Sequence, residues 1–149
     1  MWRAVHPVKP NRGLRGTDSW GSGSFGASRD GGSRRHRGTD YTGRPGDFAL
    51  APIGGRIAHV GLAKRNTMLG SIHIEGMGEY AGAYVKIYYA RPMVEKGDMV
   101  APGEVVGAVQ DVADYYHLTA AERPGPMTNH IHVEMREYID PEKRIEELL

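Results

Sequence analysis

The stretch AYVKIYYARPM, residues 83–93, is the clearest strand in the chain. Successive side chains of an extended strand point to opposite faces of the sheet. Val85, Ile87 and Tyr89 therefore share one face, and the tyrosines and the lysine between them share the other. This alternation predicts a strand in a sheet with one apolar and one polar side, and it does not fit a helix.

The segments on either side of this strand have the same character. The ending DPEKRIEELL differs, because Asp140 is a good N-cap and Pro141 suits the first helical position. We therefore predict an all-β, mostly antiparallel fold with a short C-terminal helix. The remaining predicted β segments are RIAHV (56–60), SIHIE (71–75), the double glycine turn VEKGDMVAPGEVVGAV (94–109) and NHIHVEMREY (129–138).

Composition narrows the possible functions. The chain has 149 residues, 40% of them apolar, which is enough for one domain with a real core. A net charge of +1 gives no global attraction to nucleic acid, and no apolar run reaches the length of a membrane span. There is no cysteine, so cysteine-based zinc sites are excluded. We see no signal peptide at the N-terminus, and we expect an arm over residues 1–24 before a domain over residues 25–149.

Two short motifs carry the chemistry. In the predicted strand NHIHVE, His130 and His132 project from the same face, roughly 7 Å apart. That spacing suits one metal ligand beside one group that acts on whatever the metal holds. Upstream, HRGTD supplies His36 and Asp40. Two histidines and a carboxylate suit zinc and leave a fourth position open. Each motif alone is more often a pair of surface or structural residues, and from the residues alone either histidine of the strand fits the ligand role.

The order of these motifs resembles that in the lysostaphin/LytM-type zinc endopeptidases, a family that cuts peptidoglycan cross-bridges. The order is His-x-x-x-Asp, a β-rich middle and then His-x-His. The resemblance spans about residues 25–136. It is carried by FGASR, HRGTDYTGRPGDFALAPIGGRI, VEKGDMVAPGEVVG and GPMTNHIHVE.

The resemblance implies a duplicated hybrid motif, an antiparallel sheet with a groove along it. It implies Zn²⁺ held by His36, Asp40 and His132, with His130 as the general base for a zinc-bound water that attacks a peptide carbonyl. It further implies that Asn129 and Tyr89 bind substrate, and that the substrate is the peptide part of peptidoglycan.

One position departs from the family pattern. Where the family has an active-site histidine in a Tyr-x-His pattern, this chain has Arg91, in Tyr89-Ala90-Arg91. Arginine donates hydrogen bonds to an oxyanion but cannot take up a proton. Arg91 is therefore expected to steady the oxyanion in an active enzyme.

The alternative is a catalytically inactive zinc-binding module for cell-wall peptide, glycan or a partner protein. The chain is also similar to leukocyte chemotaxin relatives, which share the fold and the zinc site but lack the same histidine. A carrier-like β-hammerhead around residues 94–109 ranks last, because it has no lysine at the tight turn and leaves both zinc motifs unexplained. For the enzyme, we expect action on the cell wall after delivery by a virion, a lysis cassette or a secretion system, with a phage tail or lysis assembly as partner.

Overall fold

The structure is a computed structural model, and it describes residues 2–18, 21–29, 34–65, 67–114 and 128–137. The predicted C-terminal helix lies outside these residues. Within them the chain forms strands, a 3-10 turn at Gly78–Tyr80 and a short helical turn at residues 112–114. In chain order the strands are β1 (Val8–Lys9), β2 (Thr17–Asp18), β3 (Gly21–Ser22), β4 (Ser28–Arg29), β5 (Arg34–Arg35), β6 (Thr39–Thr42), β7 (Phe48–Leu50), β8 (Gly55–Leu62), β9 (Gly70–Gly76), β10 (Ala83–Tyr88), β11 (Ala90–Pro92), β12 (Met99–Val100), β13 (Val105–Val109) and β14 (His130–Glu137).

Two antiparallel sheets make up the architecture. The larger has six strands in the order β12-β8-β9-β10-β14-β6, and the smaller has four in the order β1-β7-β13-β11. Two two-stranded ribbons, β2-β3 and β4-β5, lie outside these sheets. The all-β, antiparallel prediction is confirmed. Over the described ranges no helix is long and apolar enough to cross a membrane.

The core follows from the alternation read in the sequence. Val85 and Ile87 of β10 are fully buried, as are Ile72 and Ile74 of β9 and Ile131 of β14. Burying each such side chain contributes about 1.5–3 kcal/mol. Because these residues occupy alternate positions, the residues between them lie on the opposite face of the large sheet. That face carries His73, Tyr88 and His132.

The strand predicted over residues 83–93 is two strands. Tyr89 has φ +74°, and no other non-glycine residue in the described part of the chain has a positive φ. At Tyr89 the chain leaves the large sheet, and the next residues pair with β13 in the small sheet. Backbone hydrogen bonds from Tyr89 N to Gly70 O and from Gln110 N to Tyr89 O hold the corner. A two-residue period cannot reveal such a change of sheet, because alternation continues through it.

The double glycine turn of residues 94–109 is confirmed. Gly97 and Gly103 have φ +98° and +84° and bracket β12. In this region of backbone space glycine has no Cβ to clash. The two turns return the chain into β13, which pairs with β7 and β11.

The N-terminal segment runs beside the strand that carries Asp40. Strand β1 pairs with β7 at the edge of the small sheet. Further on, Arg15 N donates to the carbonyl oxygen of Asp40, and Asp40 N donates to that of Gly23. The functional division at residue 24 stays a prediction, but this segment supplies backbone contacts to the first zinc motif.

Candidate metal centre

Strand register brings the two motifs together. His132 of β14 is the direct cross-strand partner of Asp40 of β6, so their side chains leave the same face of the sheet. His36 lies four residues before Asp40, in a segment that is not helical, as predicted. Gly38 lets this segment pass close to β14, because a Cβ there would clash with the Val133 carbonyl and lie 2.9 Å from the His132 ring.

Three ligand atoms converge in what we call the His–Asp–His cluster (His36, Asp40 and His132). His36 Nε2 lies 2.8 Å from His132 Nδ1, and His132 Nδ1 lies 2.9 Å from Asp40 Oδ1. The third edge, from His36 Nε2 to Asp40 Oδ1, measures 3.2 Å. Ligands 2.0–2.2 Å from a tetrahedral ion stand roughly 3.3 Å apart. The triangle is therefore close to the size that one ion needs.

Each member of the cluster is oriented by an outer partner. His36 Nδ1–H donates to the Ser24 carbonyl over 2.9 Å, which turns Nε2 towards the cluster. His132 Nε2 lies 3.6 Å from Glu134 Oε2. Arg15 Nη1 donates to Asp40 Oδ2 over 2.9 Å. The Ser24 and Arg15 hydrogen bonds therefore hold the His36 ring and the Asp40 carboxylate in place.

The cluster favours the charged form of its carboxylate. Burial by itself would raise the pKa of Asp40. Hydrogen bonds from His132 and His36 outweigh that effect, together with the charges of His130 and His36, and hold the pKa well below its usual range. The Arg15–Asp40 ion pair is also almost fully buried, with 2% and 3% of the two side chains exposed. A permanent anion is thus built into the site.

His130 lies next to the cluster without being one of its three converging ligands. Its Nδ1–H donates to the Thr128 carbonyl over 2.7 Å, so Nε2 carries the free lone pair. That Nε2 lies 3.5 Å from Asp40 Oδ2. Burial lowers the pKa of His130, although the Asp40 charge acts in the opposite direction. The ring is held as a neutral base beside the ligands.

The other predicted site residues lie further out. The Tyr89 ring packs edge-on against His130, with centroids 5.5 Å apart. Asn129 Oδ1 accepts from Ala113 N and its Nδ2 donates to Asp111, so this amide already ties two segments together. Arg91 is exposed on β11 and, within the described ranges, makes no hydrogen bond or ion pair with the cluster. The catalytic and substrate-binding roles of these three residues stay predictions.

Sequence reasoning missed two contributors to the centre. Arg15 lies in the stretch predicted as an arm, and a single arginine there carries no signal that it reaches a buried carboxylate. Tyr88 stacks on His132 with centroids 5.6 Å apart and planes at 24°. The register of β10 against β14 places Tyr88 opposite His132. Alternation in the sequence predicts which face of the sheet carries Tyr88, but it cannot predict that Tyr88 lies opposite His132.

The fold has known counterparts. Csd3 of Helicobacter pylori superposes with a TM-score of 0.60 at 18% identity, over 98% of this chain and 43% of that one. The catalytic domain of the antimicrobial peptidase lysostaphin from Staphylococcus simulans gives 0.56 at 16% identity, over 80% of each chain. The chain therefore has the lysostaphin/LytM-type fold, and the resemblance read from the sequence is confirmed at that level.

Sequence comparison gives a more distant relation. No family model matches the chain. Myeloid protein 1 of Gallus gallus is 28% identical over 152 aligned residues, covering 97% of this chain and 41% of that protein. The chain thus spans about two fifths of the length of this curated relative.

Proposed function

We propose that this chain is a zinc-dependent endopeptidase that hydrolyses peptide bonds in peptidoglycan stem peptides or cross-bridges. One observation carries the proposal: three ligand atoms converge in the His–Asp–His cluster while a fourth polar residue, His130, stands beside them as a buried neutral base. A purely structural metal site has no need of such a base. The metallopeptidase fold supports the same conclusion.

The donor set of the cluster fits zinc. Two imidazole nitrogens and one carboxylate oxygen are typical zinc ligands, and three protein ligands leave a position for water or substrate. The converging atoms lie 2.8–3.2 Å apart, so only a small outward shift is needed. Zinc held there would lower the pKa of a coordinated water and polarise a peptide carbonyl.

His130 would move the proton. Because Thr128 accepts from Nδ1–H, the lone pair on Nε2 is available to take a proton from the attacking water. The same nitrogen would then return that proton to the amine that leaves. Burial lowers the pKa of His130, which favours the uncharged ring that can accept a proton.

Arg91, Tyr89 and Asn129 complete the proposed site. Arg91 would donate hydrogen bonds to the carbonyl oxygen as that oxygen gains charge. Tyr89 and Asn129 would contact the peptide, with the Tyr89 ring already packed against His130. The peptidoglycan substrate rests on the resemblance to the endopeptidase family. Delivery by a virion, a lysis cassette or a secretion system stays a prediction, and the similarities give no support to a phage partner.

The test combines metal content with activity on one purified sample. Zinc would be measured by elemental analysis, and release of soluble fragments from purified bacterial sacculi would be followed with and without a chelator. We expect about one tightly bound zinc per chain and chelator-sensitive release, with new free amino groups in the products. His6→Ala, which removes a histidine that is not part of the cluster, should change neither result. Tightly bound zinc with no release from several types of sacculi would contradict the proposal.

A second candidate is an inactive zinc-binding module. The observation in its favour is Arg91, which is exposed, cannot take up a proton and, within the described ranges, has no bond to the cluster. If the native chain releases nothing, Arg91→His separates the two functions. Release that begins with histidine at this position would favour the binding module, whereas release by the native chain would reject it.

A further inference from the structure

A second pair of histidines lies on the same sheet. His59 of β8 and His73 of β9 are direct cross-strand partners. Their ring centroids lie 4.7 Å apart with planes at 47°. The two histidines of the His–Asp–His cluster, His36 and His132, lie 4.6 Å apart with planes at 54°. The two pairs therefore have nearly the same mutual geometry.

The second pair (His59 and His73) is connected to the cluster by a run of rings. The His73 ring lies 6.2 Å from the Tyr88 ring, which in turn stacks on His132. Tyr88 pairs in register with both Ser71 of β9 and His132 of β14. Both pairs thus lie on the open face of the large sheet, and Tyr88 separates them.

Each ring of the second pair has one nitrogen whose surroundings the structure defines. His73 Nδ1 lies 3.0 Å from the Tyr84 hydroxyl, and when Nδ1–H donates to that oxygen the Nε2 lone pair is free. His59 Nε2 lies over Gly61, where an added Cβ would come within 2.7 Å of it. Glycine at position 61 therefore keeps this nitrogen clear of a side chain.

The charge state of His73 also suits a metal. Burial lowers the pKa of His73 to about 4, the charges of His59 and Lys86 act in the same direction, and the charge of Glu134 acts against them. The His73 imidazole is thus neutral at pH 7, as a ligand must be. Lys86 is the cross-strand partner of Glu134, so a carboxylate shares this face of the sheet with the lysine.

We propose that His59 and His73 form a second site for a divalent transition-metal ion of the Zn²⁺, Ni²⁺ or Cu²⁺ class, with Tyr84 as a positioning residue. Imidazole nitrogen suits these ions, and water completes the coordination. Two protein ligands without a carboxylate bind more weakly than the cluster does. The inference does not depend on peptidase activity, since it concerns metal binding alone.

The test uses zinc alone as the probe on the full chain. Metal-free protein would be titrated against a chromophoric chelator, and the stoichiometry checked by equilibrium dialysis. We expect two zinc ions per chain, with the second released at a lower chelator concentration. His59→Ala and His73→Ala should each abolish the second ion and keep the first, whereas His36→Ala should abolish the first and keep the second.

Two further variants test the role of Tyr84 and control for the loss of an unrelated histidine. Tyr84→Phe should weaken the second site by about 10–100-fold, as loss of an outer-shell partner does. His6→Ala should leave both ions in place. A single zinc ion per native chain, or a second ion that survives in both the His59→Ala and His73→Ala variants, would overturn the proposal. Neither result would bear on the peptidase, because the first site is counted separately.

Discussion

Two histidine pairs on one sheet face differ in what surrounds them. His36 and His132 each have a ring nitrogen within 3.2 Å of Asp40, and His36 donates to the Ser24 carbonyl from its other nitrogen. His59 and His73 have nearly the same ring geometry, but the partner that the structure gives them is a tyrosine hydroxyl. We therefore expect the first pair to bind a metal ion more tightly than the second. The buried carboxylate is the reason for this expectation.

The largest effect is expected when the carboxylate is removed. Asp40→Asn leaves His36 and His132 without a carboxylate ligand, as His59 and His73 are. Zinc affinity should fall by more than the roughly 10–100-fold that outer-shell changes cause. Chelator competition measures the change. If the variant still binds zinc as tightly as the native chain, the carboxylate is not what distinguishes the pairs.

His130 adds a proton acceptor beside the first pair. His130→Ala should lower turnover by about 10²–10⁴-fold, the usual contribution of a general base, while zinc stays bound. Turnover is measured as fragment release from sacculi at saturating zinc. The proposed role would be wrong if zinc is retained and turnover is unchanged. Loss of zinc together with activity would instead make His130 part of the metal site.

Arg15 tests how the buried carboxylate is held when no metal is present. Arg15→Met leaves Asp40 buried without its guanidinium partner, which should lower the free energy of unfolding of the metal-free chain by about 3–5 kcal/mol. Urea unfolding in the presence of a chelator measures this. Zinc should restore part of the loss, because the metal ion also pairs the carboxylate. Arg15→Lys keeps the charge and should lose less; equal losses in both variants would assign the effect to packing.

The smallest effect concerns the second pair and pH. The pKa of His73 is about 4 when folded and 6.5 in a model peptide, so the unfolded chain binds the extra proton first. Stability of the metal-free chain should therefore fall as pH drops from 6.5 to 4 and then level off. The shift corresponds to about 3–4 kcal/mol at most, and solvent screening of this partly exposed ring reduces it to roughly 1 kcal/mol. Urea unfolding at pH 7 and pH 4.5 measures it, and His73→Asn should flatten that part of the profile.

Much of the fold could be predicted from the sequence, because a strand that buries one face must carry apolar residues at alternate positions. Alternating apolar residues predicted the strands β8, β9, β10 and β14, and glycines predicted the turns on either side of β12. The change of sheet at Tyr89 could not be predicted, since apolar alternation continues through it. The same limit hid Arg15, whose partner Asp40 lies 25 residues away along the chain.

The sequence by itself determined the donor chemistry and its approximate arrangement. His36, Asp40 and the His130/His132 strand are recognisable because imidazole and carboxylate are zinc ligands and because a strand presents alternate residues on one face. Only the tertiary structure decided which histidine lies beside His36 and Asp40. Cross-strand register sets His132 directly opposite Asp40, whereas His130 lies opposite Thr42. The structure alone also paired His59 with His73, because register between distant strands depends on the packing of the whole sheet.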